Sequence, residues 1–271
     1  MRAIVMTHHG GPDVLETREL ADPSPASGEV LIRVRAFGLN HADTYMRAGV
    51  WSFGIPVLGI ECAGVVEEDP DGRFAPGAAV VALVGGLARD RNGTYAELVT
   101  VPATNVVAVD TAMTWADLAA IPAVYSTAWV ALNANLAVRR GETLLVRGAT
   151  SAVGRAAVNL AVDQGVTVIA TARTSARVER LRELGAAEVL VDDGQLAPQV
   201  RATRPRGVDA VLDLVGKCRV ARFAAVRGAA RARLSDRFPG RAGPGGGFQS
   251  ARGPPQRCGA EHLRQRIRAG R

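Results

Sequence analysis

The stretch from residue 143 to residue 212 leaves this chain few choices of fold. Thr143-Leu144-Leu145-Val146 is a short continuous apolar run, as expected of a strand buried on both faces of a parallel sheet. A turn of small residues follows at 147–154, then an amphipathic helix to about Gln164, with Gly165 placed to end it. A second strand at 166–170, a helix at 176–184 closed by Gly185, a third strand at 188–191 and a fourth at 208–212 continue the pattern. Strand, helix and strand at this spacing predict an α/β fold, a doubly wound parallel sheet with right-handed crossovers.

The residues before it read differently. Strand-like segments at 2–7, 14–20, 29–36, 59–67, 79–84, 95–101 and 106–109 are separated by turns such as Gly10-Gly11-Pro12-Asp13 and Asp69-Pro70-Asp71-Gly72. They predict a small, partly antiparallel, barrel-like β domain with one short helix at about 41–47. Residues 115–134, broken at Pro122, form a helical passage into the second region. With 271 residues, 48% of them hydrophobic, the chain is long enough for two packed domains. The expected division is 1–120, 121–217 and a tail at 218–271.

Charge separates the tail from the rest. The formal net charge is +7, but residues 218–271 hold 13 arginines against Asp236 and Glu261, a local +11, which leaves −4 for the first 217 residues. The tail also carries a Gly/Pro-rich stretch at 240–247 and Gly253-Pro254-Pro255, a composition expected to be disordered. One reading is an arginine arm that contacts phosphates. The favoured one is GC-rich coding sequence read out of frame, because such codons yield mainly Arg, Gly, Ala and Pro; in support, residues 236–244 can be back-translated so that a neighbouring frame gives a credible strand and turn. A nucleic-acid partner is therefore not expected. No apolar run approaches the roughly 18 to 20 residues that span a bilayer, the start lacks a signal-peptide pattern, and a cytoplasmic location is expected. Three scattered cysteines, Cys62, Cys218 and Cys258, exclude a disulfide framework and a thiolate-rich zinc site.

The candidate chemistry begins at the first βα turn, Gly148-x-x-Ser151-x-x-Gly154. Backbone N–H groups and the positive helix end there suit a pyrophosphate, and Gly148, Ser151, Ala152, Val153 and Gly154 are the candidate contacts. The turn is not a full G-x-G-x-x-G, and a tight turn without a ligand would look alike; its place inside a βαβ unit favours a dinucleotide. At the end of the second strand an acidic residue would hold a ribose 2′-OH. The chain has Thr171-Ala172-Arg173-Thr174-Ser175-Ala176-Arg177 instead. Arg173 and Arg177 suit a 2′-phosphate and so NADPH over NADH, the alternative being that they solvate a helix start.

Several stretches together carry a resemblance: GLNHADTYMRAG at 38–49, PVLGIECAGVV at 56–66, IPAVYSTAW at 121–129 and the 148–154 turn. The chain resembles the medium-chain dehydrogenase/reductase superfamily in its zinc-free, zeta-crystallin-like quinone oxidoreductase branch. The resemblance implies an N-terminal GroES-like catalytic domain, a Rossmann domain, and hydride transfer from NADPH to a quinone or α,β-unsaturated carbonyl in the cleft between them. It implies catalytic roles for Asn40 and Tyr45 and a nicotinamide contact for Thr127. Capping of the short helix is the other reading of Asn40, and wall packing that of Tyr45. Trp51 borders the pocket or belongs to the core, Glu61 is a functional group or the partner of an arginine, and Cys62 is inert.

Zinc-dependent relatives place a cysteine where this chain has Asn40 and Gly-His-Glu where it has Gly59-Ile60-Glu61. The four-cysteine lobe is absent, and His8, His9, His41 and His262 have no ligand spacing, so no metal is expected. The family adds strands after the fourth and a return into the N-terminal domain. The tail stands in their place, so the Rossmann sheet is expected to be truncated after the fourth strand, with impaired folding or NADPH binding. The alternative function is thus a catalytically impaired remnant or nucleotide-binding module. The family often dimerises through the edge of the Rossmann sheet, which makes a homodimer a further expectation.

Overall fold

A computed structural model describes residues 1–215 and the backbone of Arg233–Ser235. These residues fall into two compact units, one built on Met1–Ala123 and the other beginning at Val124.

In the first unit, β1 (Arg2–Met6) and β2 (Leu15–Glu19) form an antiparallel ribbon. Five further strands, β3 (Glu29–Phe37), β4 (Glu61–Glu68), β5 (Ala79–Leu83), β6 (Leu98–Pro102) and β7 (Val106–Ala108), make an antiparallel sheet in the order β6-β3-β4-β5-β7. Side chains alternate between its faces. Cys62, Val80, Ala82 and Val106 enter one core with Val30, Ile32 and Val99, while their neighbours Ala63, Val81 and Val107 enter a second core on the other face. That second face is closed by Leu118 and Ala119 of α2 (Trp115–Ala119). Fully buried side chains such as Ile32 and Val80 each contribute roughly 2 kcal/mol through removal of apolar surface from water. The connection from β3 to β4 carries α1 (His41–Arg47), the helix expected at that place.

Residues Trp115–Asn135 form a helical run of 21 residues, apolar enough by length and composition to cross a membrane, which corrects the expectation that no run approaches that length. The run is broken, with α2 followed by α3 (Pro122–Trp129) and a π-helical turn at Val130–Asn135. Its apolar side chains enter cores: Leu118 packs with Ala63 and Val81, and Ala128, Ala131 and Leu132 pack with Leu144 and Leu160.

The second unit is a parallel sheet. Its strands are β8 (Thr143–Arg147), β9 (Thr167–Ala172), β10 (Glu188–Val191), β11 (Ala210–Asp213) and β12 (Arg233–Ser235), in the order β10-β9-β8-β11-β12. On one face Leu144, Val146, Val168, Ala170 and Leu212 meet Ala156, Ala157 and Leu160 of α4 (Ala152–Asp163) and Leu181 of α5 (Val178–Glu183). On the other, Leu145, Ile169 and Val211 meet Val200 of α6 (Leu196–Thr203). Helices on both faces are what the unbroken apolar strands require, and the fold is the α/β, doubly wound arrangement expected. The sequence reading assigned no helix at 196–203. Pro198 obscures it, yet in the first turn its missing N–H breaks no helical hydrogen bond. β12 pairs in parallel with β11, Ala210 opposite Arg233, one strand beyond the four expected. The rest of the 218–271 tail, with His262, Cys218 and Cys258, lies outside the described residues.

Candidate functional site

The nucleotide candidates sit where β8 hands over to α4. Gly148 has a φ of +77°, a region that side chains disfavour, and its N–H donates to Thr171 Oγ1 of β9 at 3.1 Å. Ser151 is the helix N-cap: its Oγ accepts from Gly154 N–H at 3.0 Å and donates to Gly148 O at 2.9 Å. Gly154 is held against the turn. A Cβ there would collide with Gly148 O and lie 2.7 Å from Ala149 Cα. Only glycine permits this approach, and Ser151 and Ala152 at the tip of the turn are exposed while Val153 is half-buried. A twelve-residue helix thus presents its N-terminus behind a turn too tight for side chains, a geometry suited to a pyrophosphate.

Just beyond β9, Arg173 and Arg177 are exposed, and neither forms an ion pair among the described residues. Arg147, at the end of β8, is used otherwise. Its Nε donates to Asp192 Oδ2 at 2.7 Å, and its Nη1 lies 3.6 Å from Asp213 Oδ2, so one guanidinium ties together the carboxyl ends of β8, β10 and β11. The acid that follows β10 is thereby neutralised, while the arginines after β9 have no acidic partner among the described residues. Thr127 is half-buried on α3 in the same unit.

In the first unit the chemistry gathers at the start of α1. Asn40 and Asp43 form a capping box, the Asn40 side chain facing the Asp43 N–H and Asp43 Oδ2 accepting the Asn40 N–H at 2.8 Å. Capping therefore accounts for part of Asn40. Its Nδ2 does something else: it donates to Glu61 Oε1 at 2.8 Å, while Glu61 Oε2 accepts from Ala123 N–H at 2.6 Å. Glu61 is 2% exposed and Asp43 4%. The arginine partner considered for Glu61 is replaced by these two donors. Burial pushes both carboxyls above their usual range, the hydrogen bonds pull them back, and Asp43 adds charge repulsion to Glu61. Asp43 is also bonded by the Tyr95 hydroxyl and by Gly59 N–H at 3.2 Å, and Thr94 Oγ1 donates to Glu61 O at 2.8 Å.

Tyr45, half-buried on α1, rests against Trp51, with ring centroids 5.3 Å apart and planes tilted by 57°. Leu39, 79% exposed, stands next to Asn40. Cys62 is fully buried, and its thiol is pushed up to about 12 by that burial first and then by the Glu61 charge, which removes it as a nucleophile. A shallow groove of about 480 Å³ lined by Ile4, Arg35, Phe37 and Glu97 contains none of the predicted residues.

The donor set does not fit a zinc ion. Ile60 packs with the apolar cluster of Val57 and Leu58, Asn40 turns an N–H toward Glu61, and among the described residues no three His, Cys, Asp or Glu side chains gather. His8 and His9 find hydroxyl neighbours instead, Thr7 at 3.0 Å and Ser52 at 3.1 Å. Sequence reasoning missed Asp43, Thr94 and Tyr95. The Asn-x-x-Asp spacing before a short helix signals Asp43; nothing local signals the other two.

Family models match both units: the alcohol dehydrogenase GroES-like domain over residues 26–111 and the zinc-binding dehydrogenase domain over 152–228. A solved NAD-dependent alcohol dehydrogenase superposes with a TM-score of 0.79 at 34% identity, over 86% of this chain and 77% of that one. The chain belongs to the medium-chain dehydrogenase/reductase superfamily. Within this superfamily it is similar to human quinone oxidoreductase, 35% identical over 70% of this chain, and to the human synaptic vesicle membrane protein VAT-1 homolog, 34% identical over 80%. It spans 58% and 56% of their respective lengths. A mycobacterial member solved in complex with NADPH superposes with a TM-score of 0.71 at 34% identity, over 83% of this chain and 70% of that one. These likenesses place the chain in the quinone oxidoreductase branch of the superfamily.

Proposed function

We propose that this protein is an oxidoreductase that uses NADPH to reduce a quinone or an α,β-unsaturated carbonyl without zinc. The observation that carries the reading is the Gly148–Gly154 turn at the N-terminus of α4, followed at the end of β9 by two exposed arginines with no acidic partner among the described residues. The turn would hold the pyrophosphate through backbone N–H groups. Arg173 and Arg177 would hold the 2′-phosphate as charge-assisted donors, and Thr127 would contact the nicotinamide. The bound nicotinamide supplies a hydride. Asn40 and Tyr45 would orient the acceptor and hydrogen-bond its oxygen, a role that a conjugated carbonyl permits without a Lewis acid because charge spreads to that oxygen as hydride arrives. The small-molecule acceptor and the quinone class follow the likeness to quinone oxidoreductase, and the enone class shares the conjugated carbonyl of a quinone. The test is the loss of NADPH absorbance with 1,4-benzoquinone and with a small enone, repeated with NADH. Turnover that favours NADPH supports the reading; absence of turnover with every acceptor, or a preference for NADH, overturns it.

A further inference from the structure

Glu61 is a buried carboxylate that no cation neutralises among the described residues, and both of its oxygens are committed, one to Asn40 Nδ2 and one to the backbone N–H of Ala123. It packs closely against Gly38, where an added Cβ would collide with its Oε1. Ala123 N–H can only donate, and an ionised carboxylate can only accept. With Glu61 ionised, the Asn40 amide turns its nitrogen toward it, as the 2.8 Å contact from Nδ2 to Oε1 has it, and this is also the orientation that leaves its oxygen on the side of the Asp43 N–H. One N–H of the amide is then committed to Glu61, and its oxygen is turned toward the start of α1. What remains is the second N–H of Asn40, uncommitted among the described residues.

Resting on the reading that Asn40 faces the acceptor, we propose that Glu61 is a positioning residue that fixes the Asn40 amide as a hydrogen-bond donor. One N–H is held by Glu61, and the other is presented to the carbonyl oxygen of the quinone or enone. NADPH, held by the 148–154 turn, would supply a hydride to a conjugated carbon; the Asn40 N–H would stabilise the negative charge that then falls on the carbonyl oxygen until solvent protonates it. A flipped amide would present its oxygen and repel that charge.

Glu61→Gln separates orientation from packing. The new amide must still accept from Ala123 N–H, so its NH₂ faces Asn40; donor then meets donor, and Asn40 is driven to flip. Asn40→Asp alone sets a carboxylate against Glu61. The double variant Asn40→Asp/Glu61→Gln restores a donor–acceptor pair and lets the new carboxylate serve the Asp43 N–H, but it has no N–H to offer the acceptor. Turnover, the dissociation constant for NADPH and melting temperature are measured for all four proteins. Expected are a loss of turnover of at least about tenfold in Glu61→Gln, as for removal of an oxyanion donor, with NADPH affinity unchanged. The lowest melting temperature is expected in Asn40→Asp, and the double variant recovers stability but not turnover. An active wild type with an equally active Glu61→Gln, or a double variant that regains wild-type turnover, overturns the positioning role alone. A wild type that turns over no acceptor overturns the functional reading and this role with it.

Discussion

Gly154→Ala is a sharp test of the turn because two large effects oppose each other there. Position 154 lies in the first turn of α4, where alanine is favoured over glycine by about 1 kcal/mol. Against that, the added methyl meets backbone. It would collide with Gly148 O and lie 2.7 Å from Ala149 Cα and 2.8 Å from Ala149 C, where ordinary contact begins at 3.4 Å. Helix and turn must therefore separate by at least about 0.7 Å, and neither moves freely. Gly148 is tied to Thr171 Oγ1 at 3.1 Å, and Ser151 Oγ is tied to Gly154 N at 3.0 Å. Overpacking costs about 1 to 3 kcal/mol, and backbone contacts place this case at the upper end. The net loss is then about 2 kcal/mol, or a melting temperature lower by about 4 to 8 °C. The same displacement moves the N–H groups offered to the pyrophosphate, so NADPH affinity should fall by at least about tenfold, one charge-assisted hydrogen bond. Thermal denaturation and fluorescence titration with NADPH read the two effects. A variant as stable as the parent, with unchanged NADPH affinity, would refute the close approach and its role together.

Three further outcomes are expected. Arg173→Ala should weaken NADPH binding by about tenfold while leaving NADH binding unchanged, because only the 2′-phosphate forms the charge-assisted bond; equal losses for both cofactors would contradict the assignment. Cys62, buried with its thiol pushed up to about 12, should resist alkylation at about pH 8 in the folded protein and react on unfolding, as peptide mapping after iodoacetamide treatment will show. For Asp43 the folded-state carboxyl is raised by burial, so the native state holds its proton more tightly than the unfolded chain. Its contribution is then largest below the usual carboxylate range and is lost as pH climbs through the raised folded value. Unfolding free energy of the wild type minus that of Asp43→Asn should accordingly fall as pH rises across that interval. A difference that grows with pH is the opposite sign and defeats the argument.

The parts of this molecule that could be read from the chain are those built by neighbours in sequence. Leu144, Leu145 and Val146 are apolar in succession because both faces of β8 are covered, by α4 and by α6, and continuous burial leaves its mark within four residues. The 148–154 turn closes on itself through Ser151, Gly148 and Gly154, all inside seven positions. α6 escaped because Pro198 speaks locally against a helix that its position in the first turn tolerates. The environment of Asn40 escaped for another reason. Its decisive partner is 21 residues away and that partner's other donor a further 62, so no periodicity or motif links them; only the packing of β4, α1 and the start of α3 does.

That long-range closure also explains why an amide suits position 40. A carboxylate buried to 2% exposure with like charge from Asp43 persists only if both oxygens receive donors, since an unpaired buried polar group costs about 1 to 3 kcal/mol and a charged one more. Ala123 supplies one donor from the backbone, which only a proline would remove. The second must come from a side chain, and the start of α1 favours a residue that can also offer an acceptor there. Of the short side chains that cap helices, serine and threonine have a single donor hydrogen and aspartate has none. Asparagine alone satisfies the carboxylate and the helix start and still has an N–H to spare. Stability thus requires one N–H of Asn40, and the other is the one that the proposed role assigns to the acceptor.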